Sequence, residues 1–204
     1  GFLDALFTDY RHKLREQLRR LGYSRVEWAL LNASDYGVPQ LRPRVVIVAI
    51  KDAFADQFEW PNRIAARPQT VGQVLHDLMS ANKWPGAEAW CRQADEIAPT
   101  IVGGSKKHGG PDLGPTRARK VWASLGVNGG SIAEDAPVPD FVGMPRLTVR
   151  MVARLQGFPD SWAFAGKKTA AYRQVGNAFP PPVAQAVAGS IRTAITARRL
   201  FAVA

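Results

Sequence analysis

Cysteine is almost absent from this sequence, and long apolar runs are missing altogether. A single cysteine, Cys91, occurs among 204 residues, which excludes an internal disulfide framework and a cysteine-rich zinc site. The three histidines, His12, His76 and His108, are too scattered for the spacing of metal ligands. No apolar stretch approaches the ~18 residues that a membrane-spanning helix needs. We therefore expect a protein of a reducing compartment, with no metal site.

The beginning of the sequence also lacks two common features. There is no initiator methionine, and no basic stretch precedes an apolar one as in a signal peptide. Instead, Gly1 is followed directly by an amphipathic pattern, with apolar residues at three- and four-residue spacing as far as Leu21. We therefore expect that the chain begins in the middle of a longer protein.

Acidic residues are too few to balance the basic ones. The sequence has 27 Lys+Arg against 17 Asp+Glu, which gives a formal net charge of +10 and a pI of about 10.3. A positive excess raises the local concentration of polyanions, and nucleic acid is the commonest such partner. An ordinary basic protein can have the same balance, so charge favours nucleic acid without deciding the matter.

Helix and strand patterns predict an α/β fold at the start of the chain. The amphipathic segment 2–21 predicts a helix whose basic face is solvated, and Val26, Trp28 and Leu30 alternate as in a strand. The continuous β-branched run 45–50 predicts a second strand, buried on both faces of a sheet and antiparallel to the first. Such a sheet would have an uncovered edge, which again indicates a missing N-terminal part.

Residues 51–145 have a different character. Apolar spacing predicts short helices over 71–79 and 87–97, and the rest is rich in glycine and basic residues. Apolar residues interrupt the polar stretch between 101 and 130, which favours ordered loops on a small core over a disordered linker.

Regular structure returns after residue 145. Thr148 is expected to cap a helix that ends at Gly157, and Thr169 to cap a short helix that ends near Gly176. A last helix is predicted from the three prolines at 180–182. Its apolar stripe is formed by Val183, Val187, Ile191 and Ile195.

Three segments carry a resemblance to a known family. They are residues 32–44 (NASDYGVPQLRPR), 146–160 (RLTVRMVARLQGFPD) and 171–181 (AYRQVGNAFPP). These segments resemble, in order, the eighth, ninth and tenth sequence motifs of the DNA cytosine-5 methyltransferases. The resemblance covers almost the whole chain except its middle, where this family places its target recognition domain.

The resemblance implies the C-terminal portion of a Rossmann-like methyltransferase domain with a small, irregular recognition domain. Residues 1–50 would belong to the catalytic α/β domain, 51–145 to the target recognition domain, and 146–204 to helices that return to the catalytic domain. The family's glycine-rich cofactor loop, Pro-Cys-Gln nucleophile loop and Glu-Asn-Val motif are absent. The start at Gly1 resembles the stretch that follows Glu-Asn-Val, so we expect a missing N-terminal catalytic half.

Two arginines are the candidate catalytic residues. Arg42 and Arg44 are separated by one residue at a strand start, so their side chains are expected on the same side, where they are either solvated or directed into a site. The resemblance assigns Arg44 to the 2-oxygen of a flipped cytosine, a role for which a planar cation is suited. Cys91 lies on a predicted helix and is interpreted as a packing residue.

The resemblance also implies a cofactor and a partner. Gln174, Gly176, Asn177 and Ala178 would lie beside the S-adenosylmethionine pocket. Alone, Gly176 and Asn177 predict only a tight break between helices, since both residues tolerate left-handed backbone angles. The partner would be double-stranded DNA. Our candidates for contacts to phosphates and bases are Lys106, Lys107, Arg117, Arg119 and Lys120.

Three hypotheses on function follow from these observations. The chain is either part of a single-chain bacterial restriction–modification methyltransferase, the small subunit of a split methyltransferase, or a DNA-binding module without catalysis. We expect the first, with a chain that is inactive alone and that functions at the nucleoid in the bacterial cytoplasm.

Overall fold

The computed structural model describes residues 1–103 and 110–201, with side chains as far as residue 197. The chain forms two compact units. Unit 1 consists of Gly1–Asn32, Pro43–Arg63 and Val183–Ala204, and unit 2 of Ala33–Arg42 and Ile64–Pro182. These units differ from the predicted blocks, because residues 33–42 and 146–182 belong to the same unit as the middle of the chain.

Unit 1 contains a helix and a pair of strands. Helix α1 spans Thr8–Arg20 after a 3₁₀ turn at Ala5–Phe7, and strands β1 and β2 span Arg25–Asn32 and Pro43–Ile50. The strands pair antiparallel, with Leu31 opposite Arg44. A 3₁₀ helix follows at Asp52–Gln57. The predicted helix and antiparallel strand pair are therefore confirmed.

The prediction that β2 is buried on both faces is wrong. In the part of the chain that the structure describes, the sheet consists of β1 and β2 alone, so its faces are only partly covered. Leu30 is 56% exposed and Ile47 40% exposed. Helix α1 buries none of its residues, and Leu6 just before it is 87% exposed.

Unit 2 is a small helical unit. Its helices are α2 (Val71–Met79), α3 (Ala87–Gln93), α4 (Thr116–Ser124), α5 (Val149–Leu155) and α6 (Lys168–Asn177). They enclose an apolar core that includes Leu75, Trp122, Leu155 and Tyr172, each 0% exposed. The last helix, α7 (Pro181–Phe201), begins at the proline run as predicted and belongs to unit 1 from Val183 onward. Among the described residues, no helix is both long and apolar enough to cross a membrane.

Side-chain caps fix the starts of two helices. The Thr148 hydroxyl accepts a hydrogen bond of 3.2 Å from the Met151 N–H, and Thr70 caps α2 in the same way through Gln73. The predicted Thr148 cap is therefore confirmed, and Gly157 follows α5 with a φ of +87°. Such a cap is worth about 1 kcal/mol.

Four details of the helix predictions are wrong. The second helix of the middle region ends at Gln93 rather than near residue 97, and α4 lies in a segment predicted as loops. Helix α6 begins at Lys168 with no side-chain cap, so Thr169 is inside it. On α7 the buried positions include Ala194, at 0% exposure, whereas Ile195 is 39% exposed. The buried face of α7 therefore includes Ala194 and not Ile195.

Candidate functional site

The Arg42 side chain is held by main-chain carbonyl groups inside unit 2. The residue is only 1% exposed. Its guanidinium donates to the carbonyl oxygens of Ile101, Gly176 and Ala178, at 2.7 Å for Gly176 and 3.1 Å for Ala178. The last two carbonyls belong to the C-terminal end of α6, where a cation is favoured by the helix dipole. The alternative that Arg42 is a solvated surface residue is therefore wrong.

Two buried glutamines extend this polar cluster. Gln40 is 0% exposed; its amide N–H groups donate to Gln156 Oε1 at 2.5 Å and to the Leu155 carbonyl at 3.3 Å. Its own Oε1 accepts from the Ile101 N–H at 2.8 Å. Gln156 in turn donates to the carbonyl oxygens of Val175 and Ala178, at 3.2 and 3.0 Å.

This cluster, which we call the Gln40–Arg42–Gln156 network, joins all three motif segments. Gln40 and Arg42 come from segment 32–44, Gln156 from 146–160, and their acceptors from 171–181. The segment at Gln40 is also fixed to residue 98, because the Leu41 and Ala98 N–H groups donate to the carbonyls of Ala98 and Pro39. Buried polar groups that satisfy one another hold a single arrangement of the backbone.

Next to this network, two glycines bring α6 against the segment that follows Ile101. A side chain at Gly176 would place its Cβ 2.5 Å from the Gly103 N and Cα atoms. Conversely, a Cβ at Gly103 would lie 2.5 to 2.8 Å from the amide atoms of Asn177. The contact at Gly176 is with backbone atoms and is too close for any larger residue, whereas a side chain at Gly103 would displace the Asn177 amide.

The predicted break between helices at Gly176 and Asn177 is wrong. Both residues lie within α6, and neither has a positive φ. Glycine is required at position 176 by the close approach of Gly103 and not by backbone angle.

The residues expected beside the cofactor occupy this end of α6. Asn177 is exposed, and within the described residues its amide has no hydrogen bond, so a donor and an acceptor remain available. Such a pair fits the hydroxyl, amino and carboxylate groups of S-adenosylmethionine. Gln174 is less free, since its amide donates to the carbonyls of Ala165 and Ala170 at 2.7 and 3.2 Å.

Arg44 belongs to unit 1, whereas Arg42 belongs to unit 2. It is the second residue of β2, half-buried, and it donates to the Pro43 carbonyl at 2.8 Å. Partial burial lowers the pKa of its guanidinium from the usual value, but an arginine remains charged near neutral pH. Among the described residues, Arg44 has no carboxylate partner.

The candidate DNA contacts lie partly on α4. Arg117, Arg119 and Lys120 are exposed on this helix, and no ion pair to them occurs in the described ranges. Lys106 and Lys107 lie outside the described residues. The exposed cations of α4 remain available to an anionic partner.

Cys91 does not have the surroundings of a catalytic thiol. It lies on α3, and burial followed by the charges of Glu88 and Asp95 raises the pKa of its thiol. A nucleophilic thiol requires the opposite shift. Within residues 1–103 and 110–201, no group of three His, Cys, Asp or Glu side chains is arranged to hold a metal ion.

Comparison with known proteins identifies the family. A profile of the family described as C-5 cytosine-specific DNA methylase matches residues 7–193. The type II methyltransferase M.NaeI of Lentzea aerocolonigenes is 56% identical over 192 residues, which cover 93% of this chain and 46% of that protein. The type II methyltransferase M.NgoMIV of Neisseria gonorrhoeae is 48% identical over 198 residues, covering 96% of this chain and 62% of that protein. The chain thus spans about half of the length of these curated relatives.

Solved structures agree at the level of fold. A protein described as a DNA modification methyltransferase of an E. coli prophage aligns with a TM-score of 0.59 at 19% identity, over 96% of this chain and 67% of that chain. DNMT2 of Spodoptera frugiperda aligns with a TM-score of 0.52 at 13% identity, over 92% of this chain and 62% of that chain. This chain belongs to the family of C-5 cytosine-specific DNA methylases.

Proposed function

We propose that this chain is part of a DNA (cytosine-5-)-methyltransferase of a bacterial restriction–modification system. The reaction transfers a methyl group to carbon 5 of a cytosine that has been flipped out of duplex DNA. This chain supplies DNA recognition and part of the base and cofactor pockets.

The observation that carries the proposal is the Gln40–Arg42–Gln156 network. Three segments that are far apart in the sequence meet in one buried polar cluster of unit 2. They are the segments that resemble the family's eighth, ninth and tenth motifs. The motif resemblance is therefore matched by a physical association of the motif segments.

Arg44 is the residue proposed to hold the flipped base. Its guanidinium is half-buried and has no carboxylate partner among the described residues. A planar, permanently charged donor is suited to the 2-oxygen of cytosine. Because the base is already held in position, the chemical step involves a smaller loss of entropy.

The cofactor is proposed to lie at the exposed end of α6. S-adenosylmethionine supplies the activated methyl group when it is bound. Asn177 would hold it through its unpartnered amide, and the close packing of Gly176 on Gly103 fixes the position of that amide. Ala178 would line the pocket without a hydrogen bond from its carbonyl to the cofactor, because that carbonyl already accepts from Arg42 and Gln156.

The nucleophile must come from outside this chain. Cytosine carbon 5 requires activation by a thiolate at carbon 6, and the raised thiol pKa of Cys91 argues against that role. Unit 1 also exposes apolar side chains at Leu6, Leu21 and Leu30, by 87%, 63% and 56%. We propose that these exposed apolar side chains pack against a missing N-terminal catalytic half.

Methyl transfer from labelled S-adenosylmethionine to mixed-sequence duplex DNA tests the proposal. The assay uses this chain, the part of the M.NaeI relative that this chain does not cover, and the mixture of the two. We expect incorporation only in the mixture, and its loss with Arg44→Ala. Arg44→Lys is the matched control, because it keeps the charge while removing the planar donor.

Each alternative gives a different result. Methylation by the chain alone would contradict the assignment of the nucleophile. Salt-sensitive DNA binding without methylation, in a mixture that forms a complex, would favour a binding module. Absence of both would reject the proposal.

A further inference from the structure

We propose that Arg119 reads a guanine in the major groove of the target DNA, whereas Arg117 contacts only the phosphate backbone. This inference rests on the proposed function and divides the candidate DNA contacts by role. It derives from the surroundings of the two arginines on α4.

Arg119 lines an open groove beside α4. The groove has a volume of about 520 Å³, and Lys120, Asn128 and Met144 are also part of its lining. No carboxylate is found in this lining as the structure describes it. A cationic groove with polar and apolar walls is complementary to the edge of a DNA duplex, which carries phosphates outside and base edges inside.

The stem of Arg119 packs against the loop that contains Gly129. Its Cγ atom lies 3.2 Å from the position that a Cβ at Gly129 would occupy. Gly129 is buried, and its carbonyl accepts from the Leu113 N–H at 3.0 Å. The beginning of the Arg119 side chain therefore packs against the buried backbone at Gly129, and only the part beyond Cγ remains to be ordered when the guanidinium binds.

Asn128 provides a second oriented donor in the same groove. Its Oδ1 accepts from the Gly130 N–H at 3.0 Å, and its main-chain N–H donates to the Pro145 carbonyl at 2.8 Å. Within the described residues its amide nitrogen makes no hydrogen bond and is available to a ligand. Guanine presents two acceptors, O6 and N7, in the major groove, and a planar guanidinium can donate to both.

Arg117 has no such support. Like Arg119 it is exposed on α4, but it is not part of the groove lining. A solvated arginine on a helix surface contributes to phosphate neutralisation, which carries no sequence information. The two arginines thus provide a matched pair, two residues apart on one helix.

In the experiment, this chain is mixed with the part of the M.NaeI relative that it does not cover. The mixture selects duplexes from a randomised DNA library, and the retained duplexes are sequenced. Arg119→Lys is compared with Arg117→Lys, because both keep the charge. We expect Arg119→Lys to lower the preference for guanine at one position of the selected motif by about tenfold. Arg117→Lys should leave every position unchanged.

A second arm replaces that guanine by 7-deazaguanine, which lacks the N7 acceptor. The unsubstituted protein should bind this duplex about tenfold more weakly, whereas the difference between the two duplexes should be smaller for Arg119→Lys, which lacks the planar pair of donors. Gly129→Ala should reproduce part of the Arg119→Lys effect, since the added Cβ displaces the arginine stem.

The failure of this inference differs from that of the proposed function. An unchanged motif in Arg119→Lys, or a motif lost equally in Arg117→Lys, would overturn the assignment to Arg119. If the unsubstituted mixture retains DNA without any sequence motif, the proposed role in DNA recognition is wrong. The assignment to Arg119 is then wrong as well, because it rests on that role.

Discussion

Substitution of Arg42 tests whether the buried guanidinium stabilises unit 2, because Arg42 is 1% exposed and donates only to groups of the protein. Replacement by methionine keeps an apolar stem and removes every guanidinium donor. The carbonyls of Ile101 and Gly176 then lose this donor, whereas that of Ala178 keeps Gln156. An unsatisfied buried carbonyl costs about 1–3 kcal/mol.

Two such carbonyls would cost about 2–6 kcal/mol together. Part of this cost is offset because the variant no longer buries a cation. We therefore expect Arg42→Met to lower the free energy of unfolding of unit 2 by about 2–4 kcal/mol. Arg44→Met is the matched control, since Arg44 is half-buried and lies in unit 1. It should lower stability by less than about 1 kcal/mol.

Urea unfolding gives the free energies, and hydrogen exchange followed by mass spectrometry locates the effect. Peptides that contain Ile101 and Gly176 should lose protection in Arg42→Met, and those of β1 and β2 should not. Equal stability of the two methionine variants, or unchanged protection at the end of α6, would refute the reasoning. It would mean that the carbonyls find other donors at little cost.

Three further predictions concern single residues of unit 2. Gly176→Ala places a Cβ 2.5 Å from Gly103 and should cost about 1–3 kcal/mol in urea unfolding. Thr148→Ala removes the α5 cap and should cost about 1 kcal/mol in the same assay. The hydrogen bond from Arg154 lowers the pKa of Asp160, so its stabilisation is present above pH ~4 and is lost as pH falls through the lowered pKa. Arg154→Gln should reduce the loss of unfolding free energy at acid pH, measured by urea unfolding over a pH series. The reduction should be less than about 1 kcal/mol, because the Asp160 side chain is 52% exposed.

Elements with a local cause were predicted well from the sequence. Strand alternation predicted β1, an apolar spacing of three and four predicted α2, and the threonine cap predicted the start of α5. Helix α4 was missed because it lies next to a glycine-rich stretch and contains one buried residue, Trp122. One buried position is too weak a signal for a helical period.

The site residues were predicted only in part, because side-chain contacts between distant segments leave no period in the sequence. Arg42 and the carbonyl of Gly176 are 134 residues apart, and the role of Gln40 and Gln156 was not foreseen. A polar residue within an otherwise apolar context, such as Gln156 after Leu155, is the signal that should have indicated a buried partner.

The first motif segment therefore combines two kinds of polar residue that look alike in the sequence. Period-two spacing treated Arg42 and Arg44 as equivalent, yet only Arg42 is buried among carbonyls. Gln40 and Arg42 satisfy main-chain groups and hold the end of α6, and Arg44 is the residue that we propose for contact with a substrate. Because both terminal nitrogens of the Arg42 guanidinium already donate to carbonyls, Arg42 is not placed to bind a base as well.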